Sequence, residues 1–219
     1  MKFRIISLIM VFLVLAGSYG YASGRSLIYQ SVTKGVAVTI NEKIEINGAE
    51  TIVTSSSIDQ GTNRVRNRDN SALVWELVND RTDTRLTAER VGDIIKLEGK
   101  FEGKTVDKTL KIDGKPWFQA WDLSLGSFVL SGKKSLEFWT VRNDLKAFRM
   151  AAFRDKEETL EINGRNVEAV KVKVSLPGWM AKFWSASYWF RKSDGVFVKY
   201  QGANGPPGTP ETVIELVNE

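Results

Sequence analysis

The sequence predicts a mainly β fold, in which a single curved antiparallel sheet forms a half-barrel or open barrel with one or two short helices on its concave side. Turn dipeptides such as Asn47-Gly48 and Asp194-Gly195 recur along the chain, and both types close tight hairpins because they tolerate positive φ. Between the turns, apolar residues alternate with polar ones, as at Val36, Val38 and Ile40. This alternation is typical of half-buried strands, and roughly ten strands are expected.

Residues 1–22 are predicted to be a secretory signal peptide. Lys2 and Arg4 precede an apolar run, and Gly20-Tyr21-Ala22 provides a small-x-small cleavage site. A membrane anchor is the alternative, but the run is shorter than the ~20 residues of a membrane span. We therefore expect cleavage near Ala22 and a periplasmic location. Because the chain has no cysteine, we expect no lipoprotein anchor.

Residues 23–219 are predicted to form one domain, with 29 basic and 26 acidic residues in mixed order. Such a mild, interspersed charge argues against nucleic acid as a partner. The absence of His and Cys removes the commonest general base and metal ligands, so we expect no enzyme, metal or cofactor. A hydrolase using only carboxylates, such as Glu157, Glu158 and Glu161, is the remaining catalytic alternative.

Two segments, 116–125 and 177–184, interrupt the strand pattern. Each begins with proline, which suits the first turn of a helix, and the pairs Trp117/Trp121 and Trp179/Phe183 have the i, i+4 spacing of one helical face. Two short helices are predicted, with irregular loops as the alternative. Residues 212–217 are read as a last strand, although a helix beginning near Thr209 is also compatible.

Aromatic residues are concentrated in the second half, with three in residues 23–115 and sixteen in residues 116–219. The tryptophans of the two predicted helices either pack against the sheet or stack on sugars.

The segment 187–202 predicts a hairpin whose register depends on its loop. A two-residue loop leaves both faces mixed, whereas a three-residue loop, 193–195, pairs Tyr188 with Tyr200 and makes one face wholly apolar, so we prefer it. The other face then carries Trp189, Arg191, Phe197 and Lys199. This mixed face indicates either rings covered by cationic side chains or the wall of an apolar pocket that holds an acyl chain with an anionic head.

Arg64, Arg66 and Arg68 alternate along the chain, so in a strand all three project from one face. They are candidates for binding the phosphate of a lipid headgroup. An ordinary exposed arginine row, or a loop, is the alternative.

The hairpin residues Tyr188-Trp189-Phe190, Ser193-Asp194-Gly195 and Val198-Lys199-Tyr200 make the chain resemble the DUF3108-type periplasmic proteins. The resemblance spans most of residues 26–218 and implies a sheet similar to the half-barrel of the LolA/LolB lipoprotein carriers. It implies a carrier of an apolar ligand by fold analogy alone, and it offers no catalytic residues.

We therefore expect a non-enzymatic envelope protein that binds or carries an apolar, lipidic ligand, with peripheral membrane contact. The alternative is a structural module with a fully packed core that binds an envelope protein and no small molecule. The candidate ligand-binding residues are the aromatic residues of both predicted helices and the mixed face of the hairpin: Trp117, Trp121, Trp179, Phe183, Trp184, Trp189, Arg191, Phe197 and Lys199.

Overall fold

The computed structural model describes residues 23–203 and 208–219, so the predicted signal peptide lies outside the described residues. The first meander consists of β1 (Ser23–Thr33), β2 (Val36–Asn47), β3 (Glu50–Ser57), β4 (Gly61–Arg68), β5 (Ser71–Asn79), β6 (Thr84–Val91), β7 (Ile94–Phe101) and β8 (Lys104–Lys111). The second consists of β9 (Ser135–Val141), β10 (Ala147–Ile162), β11 (Arg165–Ser175), β12 (Ser185–Arg191), β13 (Phe197–Ala203) and β14 (Glu211–Asn218).

All fourteen described strands form one antiparallel sheet, in the order β8 to β1, then β14 to β9. Strands that follow one another in sequence pair with each other, apart from β8 and β9, and β1 pairs in addition with β14, which joins the two meanders. The end strands β8 and β9 do not pair, so the sheet is not closed into a barrel. This confirms the predicted fold class, with more strands than expected.

One α-helix, α1 (Trp121–Leu130), is present in the described residues. The predicted start at Pro116 is wrong, because residues 116–118 extend along β9 instead. The Trp139 amide donates to the Pro116 carbonyl at 2.8 Å, and the Phe118 amide donates to the Trp139 carbonyl at 2.8 Å. Trp117 therefore lies outside the helix and does not share a helical face with Trp121.

The second predicted helix is a short 3₁₀ turn, Gly178–Lys182. It follows Pro177 and has no side-chain hydrogen bond at its first cap. No helix within the described ranges has both the length and the apolar character to cross a membrane.

The β12–β13 hairpin pairs Tyr188 with Tyr200 and Trp189 with Lys199, as predicted, but it pairs Phe190 with Phe197. The loop holds four residues, 192–195, since the Arg191 amide bonds to the Val196 carbonyl at 2.7 Å. A bulge at Val198 compensates for the extra residue. The predicted face of Phe197 is therefore wrong: its ring lies 5.8 Å from that of Phe190, on the face that carries Tyr188.

Two hydrophobic clusters fill the inside of the curved sheet. The larger combines strands of the second meander with α1, which buries Leu125, Phe128 and Val129. The smaller lies under the first meander and includes Trp75 and Trp117. Ile44 of β2 packs against both clusters, so the two regions form one continuous interior.

Helix α1 meets the loop of the hairpin through a close contact between two glycines. A Cβ atom built on Gly126 would lie 2.2 Å from the carbonyl oxygen of Gly195. Gly195 itself has φ +70°, a conformation that glycine adopts without steric penalty. Only glycine at position 126 lets the helix backbone approach this closely.

Candidate functional site

Three of the predicted ligand-binding residues come together around one cleft on the inner side of the sheet. The cleft has a volume of about 510 Å³, within the range typical of small-molecule sites. It lies between the start of α1, strands β9, β10, β12 and β13, and the chain after the 3₁₀ turn. We call it the aromatic cleft, after the six rings that line it: Trp121, Phe148, Phe183, Trp184, Tyr188 and Tyr200.

The rings of the aromatic cleft are fixed by contacts on their far sides. The Trp121 indole donates hydrogen bonds to the Phe118 carbonyl at 3.2 Å and to the Thr140 hydroxyl at 3.1 Å. Its ring centroid lies 5.8 Å from that of Tyr188, which packs edge-on against Tyr200 at 4.9 Å. These contacts hold three of the six rings, Trp121, Tyr188 and Tyr200, against one another and the neighbouring backbone.

A few polar groups accompany this apolar wall. The hydroxyls of Tyr188 and Tyr200 make no hydrogen bond to any described residue. Burial, and then proximity to Tyr200, raises the pKa of Tyr188 well above its usual value, and burial raises the pKa of Tyr200 to about 12. Both hydroxyls therefore keep their protons at neutral pH and can act as hydrogen-bond donors.

Arg142 supplies a cation at the rim of the aromatic cleft. Its guanidinium lies 4.2 Å from the centroid of the Phe148 ring and 3.8 Å from the Asp144 carboxylate. Because the pair with Asp144 is long and exposed, the guanidinium remains available to an anionic group.

The 3₁₀ turn beside the cleft exposes large apolar side chains. Trp179 is 73% exposed and Phe183 is 51% exposed, and Met180 is also exposed. The rings of Trp179 and Phe183 are in edge-to-face contact, with centroids 5.7 Å apart, and the Lys182 ammonium lies within 5.5 Å of each centroid. The turn thus carries two aromatic rings and a cation into solvent next to the cleft.

The remaining predicted residues lie elsewhere. Trp117 is fully buried in the smaller cluster. Trp189 and Lys199 lie on the face of the hairpin opposite Tyr188, where Trp189 is buried. Trp189 donates to Glu158 at 2.7 Å and Lys199 to Glu215 at 2.6 Å. Arg191 binds Asp194 and Glu219. None of these four residues lines the aromatic cleft.

The three arginines of β4 project from one face, as predicted, and each has a carboxylate close by. Arg64 pairs with Glu76 at 3.0 Å, while Arg66 and Arg68 both approach Glu50. A headgroup phosphate at this row would therefore compete with existing partners.

Two of the three acidic residues considered for hydrolysis, Glu157 and Glu158, are likewise in ion pairs. Glu157 binds Arg154 and Lys192. The hydrogen bond from Lys192, and after it the one from Arg154, lowers the pKa of Glu157. Glu158 binds Lys156 and Trp189.

A second cavity, of about 380 Å³, lies on the other side of α1. We call it the carboxyl cavity, after the three acids among its lining residues, Glu42, Asp122 and Asp194; Arg25, Tyr29 and Phe197 also line it. Sequence reasoning placed Phe197 in a ligand site but missed Glu42 and Asp122. The signal was present, because Glu42 occupies a position of apolar parity between Ile40 and Ile44 in β2.

Burial and the neighbouring Asp122 carboxyl raise the pKa of Glu42 to about 11. Glu42 is only 5% exposed, and its hydrogen-bond partner is Asp122. The nearby Tyr29 hydroxyl donates instead to the Phe197 carbonyl at 3.3 Å. At neutral pH Glu42 is therefore a neutral acid that donates its proton to Asp122.

No family model matches the chain, and no curated protein matches it. Among solved structures, the chain is similar to a β-barrel-like protein of the domain of unknown function DUF1849 from Brucella abortus. The identity is 9% and the TM-score 0.50, covering 88% of this chain and 95% of that one. A second match is the hypothetical lipoprotein YmcC from Escherichia coli, with 11% identity, a TM-score of 0.43 and coverage of 86% and 85%. The first likeness shows the class of fold alone, a β-barrel-like sheet.

Proposed function

We propose that the protein is a non-enzymatic periplasmic protein that binds an apolar, lipidic ligand in the aromatic cleft. The observation that carries the proposal is the cleft itself, with its six rings, an arginine at the rim and two tyrosines whose hydroxyls have no hydrogen-bond partner among the described residues. Apolar walls with a few polar groups are typical of ligand sites. An acyl chain fits against the rings, and its polar head lies within reach of the hydroxyls or of Arg142.

We also propose that the chain is related to the DUF3108-type proteins and that its sheet is similar to the half-barrel of the LolA/LolB carriers. The predicted signal peptide supports the periplasmic location, and the open, curved sheet supports the likeness to a half-barrel carrier. The alternative, an envelope module with a solid core and a protein partner, predicts no ligand in the cleft.

Titration with a dansyl-labelled fatty acid tests the proposal. We expect saturable binding with a fluorescence increase, and native mass spectrometry of protein from periplasm should show a mass excess that matches a lipid. Phe183→Ala should weaken binding about tenfold, because roughly 1.4 kcal/mol of apolar contact corresponds to that factor. Tyr188→Phe, which removes one hydroxyl, should weaken it about threefold to tenfold.

Phe153→Ala is the matched control, since Phe153 is 46% exposed and lies outside the cleft. Its affinity should equal that of the wild type. If the wild type fails to bind the probe and carries no lipid, the packed-core alternative is favoured.

We also propose peripheral membrane contact through the 3₁₀ turn. Tryptophan at such a position partitions into the interface of a bilayer, and a neighbouring lysine is attracted to anionic headgroups. In sedimentation with vesicles containing phosphatidylglycerol, Trp179→Ser should reduce the bound fraction severalfold, while Phe153→Ser leaves it unchanged. Equal binding by both variants would place the contact elsewhere.

A further inference from the structure

The carboxyl cavity is a separate feature from the aromatic cleft, and its lining combines a buried acid pair with apolar walls. Glu42 comes from β2 and Asp122 from the first turn of α1, while Leu27, Ile44 and Val196 provide apolar surface. Its volume of about 380 Å³ is sufficient for a small organic molecule.

The acid pair has no cation. Among the described residues, no ammonium, guanidinium, amide or hydroxyl group donates to the Glu42 carboxyl, although this residue is only 5% exposed. Buried carboxyls are normally satisfied by donors or opposite charges. Here the Tyr29 hydroxyl bonds to a carbonyl, and the Arg25 guanidinium bonds to Asp194 at 3.2 Å.

We infer that the carboxyl cavity binds a primary ammonium group on a short apolar stem. The ammonium group would donate to both carboxyls, and the stem would contact the apolar wall. The step is a proton exchange: the neutral Glu42 acid releases its proton to solvent, and the carboxylate that remains forms an ion pair with the entering cation. Two adjacent carboxyls that share one proton become two carboxylates when a cation compensates them.

The charged and titratable groups that face this pair set the sign of the pH dependence. They are Arg25 and Tyr29 from β1, Asp122 from α1, Asp194 from the hairpin loop and Glu219 from the end of the chain. Asp194 and Glu219 pair with Arg191, and Asp194 pairs also with Arg25. Of the described acids around the cavity, only Glu42 and Asp122 therefore lack a cation, and these two favour a positive ligand. Because binding releases a proton, affinity should rise with pH, by up to about tenfold per unit at neutral pH.

Isothermal titration of the wild-type protein with n-hexylammonium chloride tests the inference. At about pH 7, titrations in two buffers of different ionisation enthalpy should give a release of about one proton per ligand. n-Hexanol, which has the same stem without the charge, should not bind. A parallel titration with phosphatidylethanolamine vesicles distinguishes a lipid headgroup from a free amine as the source of the ammonium group.

Glu42→Gln keeps the shape of the side chain and a hydrogen bond to Asp122, and it should lower hexylammonium affinity at least tenfold and abolish proton release. The matched control is Glu45→Gln, on the opposite face of the same strand, which should leave both unchanged. If hexylammonium fails to bind, binds without proton release, or binds Glu42→Gln as well as the wild type, the pair only fastens α1 to β2 and the inference is overturned. These outcomes are independent of fatty-acid binding in the aromatic cleft.

Discussion

Gly126→Ala is expected to lower the free energy of unfolding by about 2–3 kcal/mol, since the added methyl group overpacks a contact between two backbones. The new Cβ atom would lie 2.2 Å from the Gly195 carbonyl oxygen, so α1 or the hairpin loop must move. The higher helix propensity of alanine, worth about 1 kcal/mol, offsets only part of this loss. Thermal unfolding should occur about 5–10 °C lower than in the wild type.

Gly114→Ala provides the control. Gly114 lies outside the strands and α1, and a Cβ atom there meets no atom within 4 Å. Its substitution should change stability by less than about 0.5 kcal/mol. If both variants unfold at the same temperature, the backbone of α1 at Gly126 does not pack closely against the Gly195 carbonyl.

Glu42→Gln is expected to stabilise the protein by an amount that grows with pH. The pKa of Glu42 is raised from its usual 4.5 to about 11 by burial and by Asp122. Between these values the folded chain retains a proton that the unfolded chain releases, so wild-type stability is lost as pH rises above 4.5. The slope for one such group is at most about 1.4 kcal/mol per pH unit, and glutamine removes it.

Urea unfolding at a series of pH values measures this difference. At about pH 4.5 the free energies of unfolding of the variant and the wild type should differ only slightly. By about pH 7 this difference should have shifted by about 2–3 kcal/mol in favour of the variant. Glu45→Gln should show no such trend. A difference that stays constant over the whole range would mean that Glu42 ionises in the folded protein as it does in the unfolded chain.

The antiparallel meander could be predicted because hairpins between neighbouring strands depend on local signals. Alternation along β2 and turn pairs such as Asn47-Gly48 determine hairpins between neighbours, and these account for nearly all of the sheet. The start of α1 could not be predicted in this way. Pro116 and Trp117 have sequence features of a helix start, yet the backbone on either side of Trp117 bonds to Trp139 on β9, a partner that only the tertiary fold supplies.

The candidate sites were harder to predict for the same reason. Trp121, Phe183 and Trp184 were grouped from their aromatic character alone, and the fold brings these three to one cleft. Phe197 was assigned to the wrong face because the bulge at Val198 shifts the alternation by one residue, and a single shift exchanges the two faces. The apolar parity of Glu42 marks that residue alone; its contact with Asp122 joins distant parts of the chain, and the sequence of β2 does not specify this partner.

The pairing of β1 with β14 has a consequence for the order of folding. Thr33 and Thr212 are 179 residues apart in sequence, yet their hydroxyls lie 2.7 Å from each other. Every other strand pair is a short-range hairpin that closes a small loop, whereas this seam closes a loop of nearly the whole chain and is entropically the most demanding. The two meanders are thus suited to collapse separately and to join last. Since the seam brings the two ends together, a permuted chain that begins at α1 and ends at β8 would trace the same sheet as one uninterrupted meander.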